Sequence, residues 1–403
     1  MQYIGMQILL VCPDFPIRKR SRKYKFNIPI GLLKIAVYLK EKGHNVKLVF
    51  GQTDNIGFTP DIIGITSLFT YWAEYVKGCV QFYKEKFPNT KTVVGGIYAS
   101  LIDIDEIKAY TGCDDVYQGL VSGAETCMPD YSLLPEPIDF QIVHASRGCP
   151  RRCAFCGTWH IENSIIYKKS IKDEIVSKHV VFFDNNFLAN PNIDNILNEL
   201  IELKKARKIV SCESQSGFDG RILMNKPYLA KMLKQAGFKY PRIAWDWGYN
   251  DWPKIEKQIN ILEDAGFSRD FMFIFMLYNW DIPFEEMEQK RLKCWEWQIQ
   301  ILGSRFRPLD VIYDNYNVRN PQTSEDYYIN PKWTDKMVKT FHMNIRKQNI
   351  CVRTGSLFYS LDKKYKDLPE NDKKLLIKSR DLNEITTFLD KNGINYWLPV
   401  STK

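Results

Sequence analysis

Apolar positions in the first third of the chain fall into short runs, separated by stretches with helical spacing. Residues 6–12 (MQILLVC) form one such run and stop at Pro13, which suits a buried strand. A helix opens at Pro29, a favoured first helical residue, carries Leu32, Leu33, Ala36, Val37 and Leu39 on its apolar face, and stops at Gly43. Strands follow at 46–50 and 61–67, then a helix from about Trp72 to Lys86, then a strand at 92–96. This alternation predicts an α/β fold with an open, Rossmann-like parallel sheet. Ligands of such sheets lie beyond the carboxyl ends of the strands, which makes Ser67, Gly95 and Gly96 candidate cofactor-binding positions.

Periodicity thins after Cys113, and Pro129, Pro135 and Pro137 break any long element, so the first domain is placed at 1–137. Six candidate strands follow, at Phe140–Ser146, His179–Asp184, Ile209–Gln215, Arg242–Gly248, Phe271–Tyr278 and Arg305–Val311, most of them separated by enough chain for a helix. Six such units over 138–320 predict a partial (β/α)6 barrel with its chemistry at the carboxyl-terminal rim. From 321 to 403 the pattern becomes a mixed tail rich in Lys and Tyr, expected to cover the substrate site.

Composition narrows the class. At 403 residues the chain is too long for one small module, and 45% hydrophobic with 26% charged residues is globular composition. No run approaches the ~18 apolar residues of a spanning helix, and the start lacks a signal peptide's basic and apolar segments. The expectation is a cytoplasmic protein without a membrane partner. The net charge of +9 owes much to the stretch Arg18–Lys25, which holds six uncompensated positive charges. Two readings of it stand: a solvated loop, or a patch facing a ligand phosphate or a nucleic-acid backbone.

Ten cysteines in a reducing compartment point to metal or redox chemistry rather than disulfides. Three of them, in Ser146-Arg-Gly-Cys149-Pro-Arg-Arg-Cys153-Ala-Phe-Cys156, lie within eight residues directly after a predicted strand. Their spacing lets three thiolates wrap one centre, and no fourth cysteine is near. A structural zinc site would want that fourth ligand; an iron–sulfur cluster would be left with one open iron. Cys12, Cys79, Cys113, Cys127, Cys212, Cys294 and Cys351 form no second group, and His44, His144, His160, His179 and His342 show no pairing. Trp245, Trp247, Tyr249 and Trp252 are either ordinary packing or a platform for a planar substrate or base.

Cys149, Cys153, Phe155 and Cys156 match C-x3-C-x2-C with an aromatic residue before the last cysteine, and here the chain resembles the radical S-adenosylmethionine (SAM) superfamily. The resemblance implies a [4Fe-4S] cluster on Cys149, Cys153 and Cys156. It also implies SAM bound at the open iron, and a 5′-deoxyadenosyl radical made by one-electron cleavage. An external electron donor such as flavodoxin or ferredoxin would follow. Carried over by position, Phe182-Phe-Asp-Asn-Asn-Phe187 resembles an F-x-D-D-N-F segment near the SAM amino group, with Asp184 as the contact and Asn185 departing from the usual Asp. Asp246 falls where relatives bind the SAM ribose, and Met276–Trp280 where they approach adenine, without the usual glycines. Arg305 and Arg307, alternating on the sixth predicted strand, are candidates for a carboxylate of SAM or substrate.

The first domain resembles the cobalamin-binding domain that precedes the barrel in one subclass. Pro29–Leu33, Tyr38-Leu39, Gly43-His44, Pro60–Ser67, Val94–Gly96, Gly123–Thr126 and Pro129–Pro135 occur in the expected order. The D-x-H-x-x-G motif is absent, and the interval from Glu125 to Pro129 is too short for the helix that closes that domain. Two enzyme readings follow. With cobalamin the implied reaction is methyl transfer to an unreactive carbon; without it the domain is a scaffold for a rearrangement, cyclisation or nucleic-acid modification. The substrate is a small molecule or peptide, with nucleic acid as the alternative. The reading from outside enzymology is a structural metal-binding module.

Overall fold

The computed structural model describes residues 5–16, 28–355, 362–379 and 381–397. The basic stretch Arg18–Lys25 lies outside the described residues. The chain forms two compact units: Met1–Asn185 with Arg307–Tyr316 and Asp326–Tyr328, and Asn186–Phe306 with Asn317–Glu325 and Ile329–Lys403.

The first unit begins with strand β1 (Gln7–Cys12), helix α1 (Ile30–Glu41), β2 (Asn45–Phe50), β3 (Ile62–Ser67), α2 (Ala73–Lys86), β4 (Lys91–Gly96), α3 (Ile104–Thr111) and the two-residue β5 (Asp115–Val116). The five strands form one sheet in the order β2-β1-β3-β4-β5, every pair parallel. The expected Rossmann-like sheet is therefore present, and its strands start and end within a residue or two of the apolar runs. Leu9, Val11, Ile63, Ile65 and Val94 on the central strands are buried against Ala36, Val76 and Val80 of α1 and α2. Burying such side chains stabilises by about 1.5–3 kcal/mol each, which is why uninterrupted apolar runs become the interior strands. This order reverses direction between β1 and β3, the place where ligands of doubly wound sheets bind.

After a 3-10 turn at Ser122–Thr126, the unit continues with β6 (Gln141–Val143), the antiparallel pair β7 (Ser146–Arg147) and β8 (Ile166–Tyr167), the one-turn helix α4 (Thr158–Ile161) and β9 (His179–Phe182). Strands β6 and β9 are parallel, with Ile142 opposite Val181. The cysteine segment is thus the loop of the β7–β8 hairpin.

The second unit contains α5 (Ile193–Lys205), β10 (Ser211–Ser214), α6 (Gly220–Asn225), α7 (Tyr228–Gln235), β11 (Arg242–Ala244), α8 (Trp252–Asp264), β12 (Phe273–Tyr278), α9 (Phe284–Glu296), β13 (Gln300–Arg305) and α10 (Asp335–Thr354). Strands β11, β12 and β13 are parallel, and isolated parallel bridges join Cys212 to Phe238 and Phe218 to Ile243. The β/α alternation matches the sequence expectation with one correction. The sixth strand is Gln300–Arg305, not Arg305–Val311, so Arg307 lies beyond it and does not share a strand face with Arg305. The last ladder-like bond is Phe306 N–H to the Tyr278 carbonyl at 2.8 Å, and Pro308 then offers no donor to extend pairing. Among the described residues no helix is long and apolar enough to cross a membrane.

Candidate functional site

The cysteine loop is held at both ends. At its start, the carboxylate of Asp184, just past β9, accepts the backbone N–H groups of Ala145 (3.1 Å) and Ser146 (2.5 Å) and the Ser146 hydroxyl (2.7 Å). Asp184 is 0% exposed, and burial pushes its carboxyl up to about 6 although these three donors favour the ionised form. The structure therefore directs both oxygens of Asp184 at the strand that leads into Cys149.

A second set of groups closes the loop. Glu162, just after α4, accepts the Gly148 N–H and, at 2.9 Å, the Asn185 side-chain amide. Its other oxygen lies 3.0 Å from Arg147 Nη2. The Arg147 Nε is 3.3 Å from Glu125, which in turn lies 3.5 Å from Lys34 Nζ on α1. Lys34 is buried, and desolvation holds its amine below the ordinary lysine value against the pull of Glu125. The sequence does not mark Glu125 and Glu162 as a pair, because they lie 37 positions apart and only the hairpin brings them to one arginine.

Within the loop, the Arg151 N–H points at Cys149 Sγ (3.4 Å), the Cys156 N–H bonds the Cys153 carbonyl (3.0 Å), and Cys156 Sγ is 3.3 Å from Thr158 Oγ1. Phe155 beside them is half-buried. All three cysteines are partly exposed and outside any disulfide, whereas Cys12, Cys79, Cys113, Cys212, Cys294 and Cys351 are buried. Burial pushes the thiols of Cys12, Cys79 and Cys212 up to about 12, so these behave as small apolar groups. Among the described residues no set of three or more His, Cys, Asp or Glu side chains stands close enough to hold a metal ion. A closed four-ligand zinc site is not formed there. The three cysteines share one partly exposed loop and a backbone N–H points at one of their sulfurs, but as they stand their side chains do not converge on one centre.

The sheet rim of the same unit meets this loop. Ser67 is fully buried; its hydroxyl donates to the Gly95 carbonyl (2.7 Å) and accepts the Ala99 N–H (3.0 Å). Gly96 opposite has φ +100°, and a Cβ there would come within 2.3 Å of the Ser67 carbonyl oxygen. The turn that Ser67, Gly95 and Gly96 build leads to Leu101, which packs so closely on Gly157, next to Cys156, that a Cβ on that glycine would meet it at 2.9 Å. These rim groups are occupied with one another. A cleft of about 450 Å³ opens at the ends of β1 and β2, lined by Asp14, Gln52, Glu74 and Tyr75 among others. It is small and acidic for a corrin ring, and the described rim residues do not fit cobalamin.

Arg307 also belongs to the first unit, where it lies over the Tyr71 ring (4.4 Å) and pairs with Asp314 (3.3 Å). Asp246 and Arg305 belong to the second unit. Arg305 is buried at the end of β13 opposite Tyr278. Asp246 follows β11, half-buried, with its carboxyl raised by desolvation against the pull of Lys290 and Arg221. Lys290 of α9 is 0% exposed and donates to the carbonyls of Trp245 (2.8 Å) and Trp247 (2.7 Å), fixing the backbone on both sides of Asp246. Burial lowers its amine to about 8. Of the tryptophans near it, Trp245 is buried against Trp297 and Trp247 is 56% exposed.

No protein-family profile matches the chain. The chain is 24% identical to a protein of Pyrococcus horikoshii named as an uncharacterized methyltransferase, in a match covering 58% of this chain. The match spans 63% of that relative's length, less than two thirds of it.

Proposed function

We propose that the chain is a SAM-dependent enzyme in which Cys149, Cys153 and Cys156 hold a [4Fe-4S] cluster and an unreactive carbon of the substrate is modified, with methyl transfer as the favoured reaction: one SAM is cleaved to make the radical and leaves its methyl on methionine, and a second SAM, taking one further electron, supplies the methyl that is transferred. The observation that carries this reading is the segregation of the thiols: three accessible ones share one doubly anchored loop, while six of the other seven are buried. The distant likeness to a named methyltransferase supports the choice of methyl transfer. A cluster bound there would supply the electron that cleaves SAM reductively. Within the first unit, Asp184 and Glu162 would set the path of the loop; within the second, Lys290 would fix the backbone beside Asp246, a carboxylate suited to accept from ribose hydroxyls. Arg305 would offer charge to a carboxylate. A small molecule or peptide is the substrate class we favour, and a flavodoxin- or ferredoxin-like protein the electron donor.

The test is anaerobic reconstitution with iron and sulfide, followed by reduction in the presence of SAM carrying a deuterated methyl group. Broad visible absorption, close to four irons per chain and release of 5′-deoxyadenosine are expected. A colourless protein holding zinc, or 5′-deoxyadenosine release surviving in a variant without all three cysteines, would overturn the reading.

A further inference from the structure

We infer that Glu162 is a positioning residue that closes the cysteine loop, and that Asn185 is an amide because Glu162 already places a carboxylate at that point. Gly148 immediately precedes Cys149, and Glu162 lies six residues after Cys156. One Glu162 oxygen accepts from both the Gly148 N–H and the Asn185 amide, while the other faces Arg147. A single carboxylate therefore joins both ends of the loop to the chain that leaves β9. Asn185 passes the restraint inward: its carbonyl oxygen accepts the Thr158 hydroxyl (3.3 Å), and the Thr158 Oγ1 lies 3.3 Å from Cys156 Sγ.

The chemistry of this clasp requires opposite hydrogen-bonding character at the two positions. The amide donates to Glu162 and accepts from Thr158. A carboxylate at position 185 would still accept from Thr158 but would stand 2.9 Å from the first carboxylate, where like charges disfavour one another. Exchanging the two groups removes the like-charge conflict without restoring the pattern, because one Glu162 oxygen takes both N–H groups and an amide at position 162 can offer there either its oxygen to Gly148 or its NH2 to a carboxylate at 185.

The inference rests on the proposed cluster only for its effect on iron; the clasp is measurable in metal-free protein. Hydrogen exchange of the peptide containing Gly148 should be about ten- to a hundredfold faster in Asn185→Asp, the loss expected for a hydrogen bond to a charged group. Asn185→Ala, which removes the amide without adding charge, should exchange more slowly than Asn185→Asp although it is the larger change in shape. The double variant Glu162→Gln/Asn185→Asp, with one carboxylate in place of two, should exchange more slowly than Asn185→Asp without reaching the parent. Iron retained after reconstitution should fall and recover in the same order. A double variant no better than Asn185→Asp, or Asn185→Asp exchanging like the parent, would overturn the inference. If exchange follows the expected order and even the parent retains no iron, the clasp stands and the cluster reading fails.

Discussion

Asp184 gives a pH-dependent test of how the cysteine loop is anchored. Its carboxyl is fully enclosed and raised from 3.8 to about 6, with desolvation as the main cause. At about 1.4 kcal/mol for each pH unit, that rise corresponds to about 3 kcal/mol of pH-dependent stability. The sign follows from proton binding: between pH 3.8 and about 6 the folded chain holds the proton more than the unfolded chain does. The contribution is fullest below 3.8 and is lost as the pH rises through about 6. Asp184→Asn removes the titration and turns an NH2 group toward a backbone donor, most simply that of Ala145, a constant cost of about 1–3 kcal/mol. The variant should therefore be less stable than the parent at pH 4 and close to it at pH 7. Urea unfolding of both metal-free proteins under reducing, anaerobic conditions, at half-unit steps from pH 4 to 7.5, measures the difference directly, since other carboxylates contribute equally to both. A difference that stays flat across this range would refute the reasoning.

Replacing Cys149, Cys153 or Cys156 by Ala should abolish iron retention and visible absorption after reconstitution, whereas replacing Cys212, Cys294 or Cys351 should spare both. Asp246→Ala should weaken SAM binding by roughly one to two orders of magnitude in equilibrium dialysis, at unchanged iron content. Lys290→Met should leave the Trp245 and Trp247 carbonyls without their donor and cost about 2–5 kcal/mol in chemical denaturation. Because the folded lysine titrates near 8 and the unfolded one near 10.5, the parent should also gain stability between those pH values, and the variant should not. Gly96→Ala should yield little soluble protein, because its Cβ would overlap the Ser67 carbonyl and its φ is strained for any side chain.

The sheet of the first unit was legible because its strands are apolar runs bounded by Pro and Gly, and burial on both faces leaves little freedom in where they begin. The sixth strand of the second unit was misplaced because Arg305–Val311 alternates as a strand should. The true pairing, Phe273–Tyr278 with Gln300–Arg305, depends on where α9 ends and on the left-handed turn at Gln298. Helix α9 also misleads a hydropathy reading: Glu288, Lys290 and Arg291 sit in a charge-rich segment yet are buried, the first and last paired with each other and Lys290 with two carbonyls. At the site, the three cysteines announce themselves by spacing. Asn185 stood out only as a departure; its reason, the Glu162 carboxylate, is set by the fold of a hairpin and leaves no periodic trace.

The first unit is assembled from separated stretches, and this bears on how a ribosome can make it. Tyr98, buried under the sheet rim, donates to the Ile312 carbonyl at 2.7 Å, and Ile312 and Tyr313 pack on the first core. Those partners are translated more than a hundred residues after Asn185. At ordinary elongation rates the nascent sheet waits on the order of ten seconds with that apolar edge uncovered. A gene fragment cut at Asn185 would keep all three cysteines of the hairpin loop and still lack the cover for its own core.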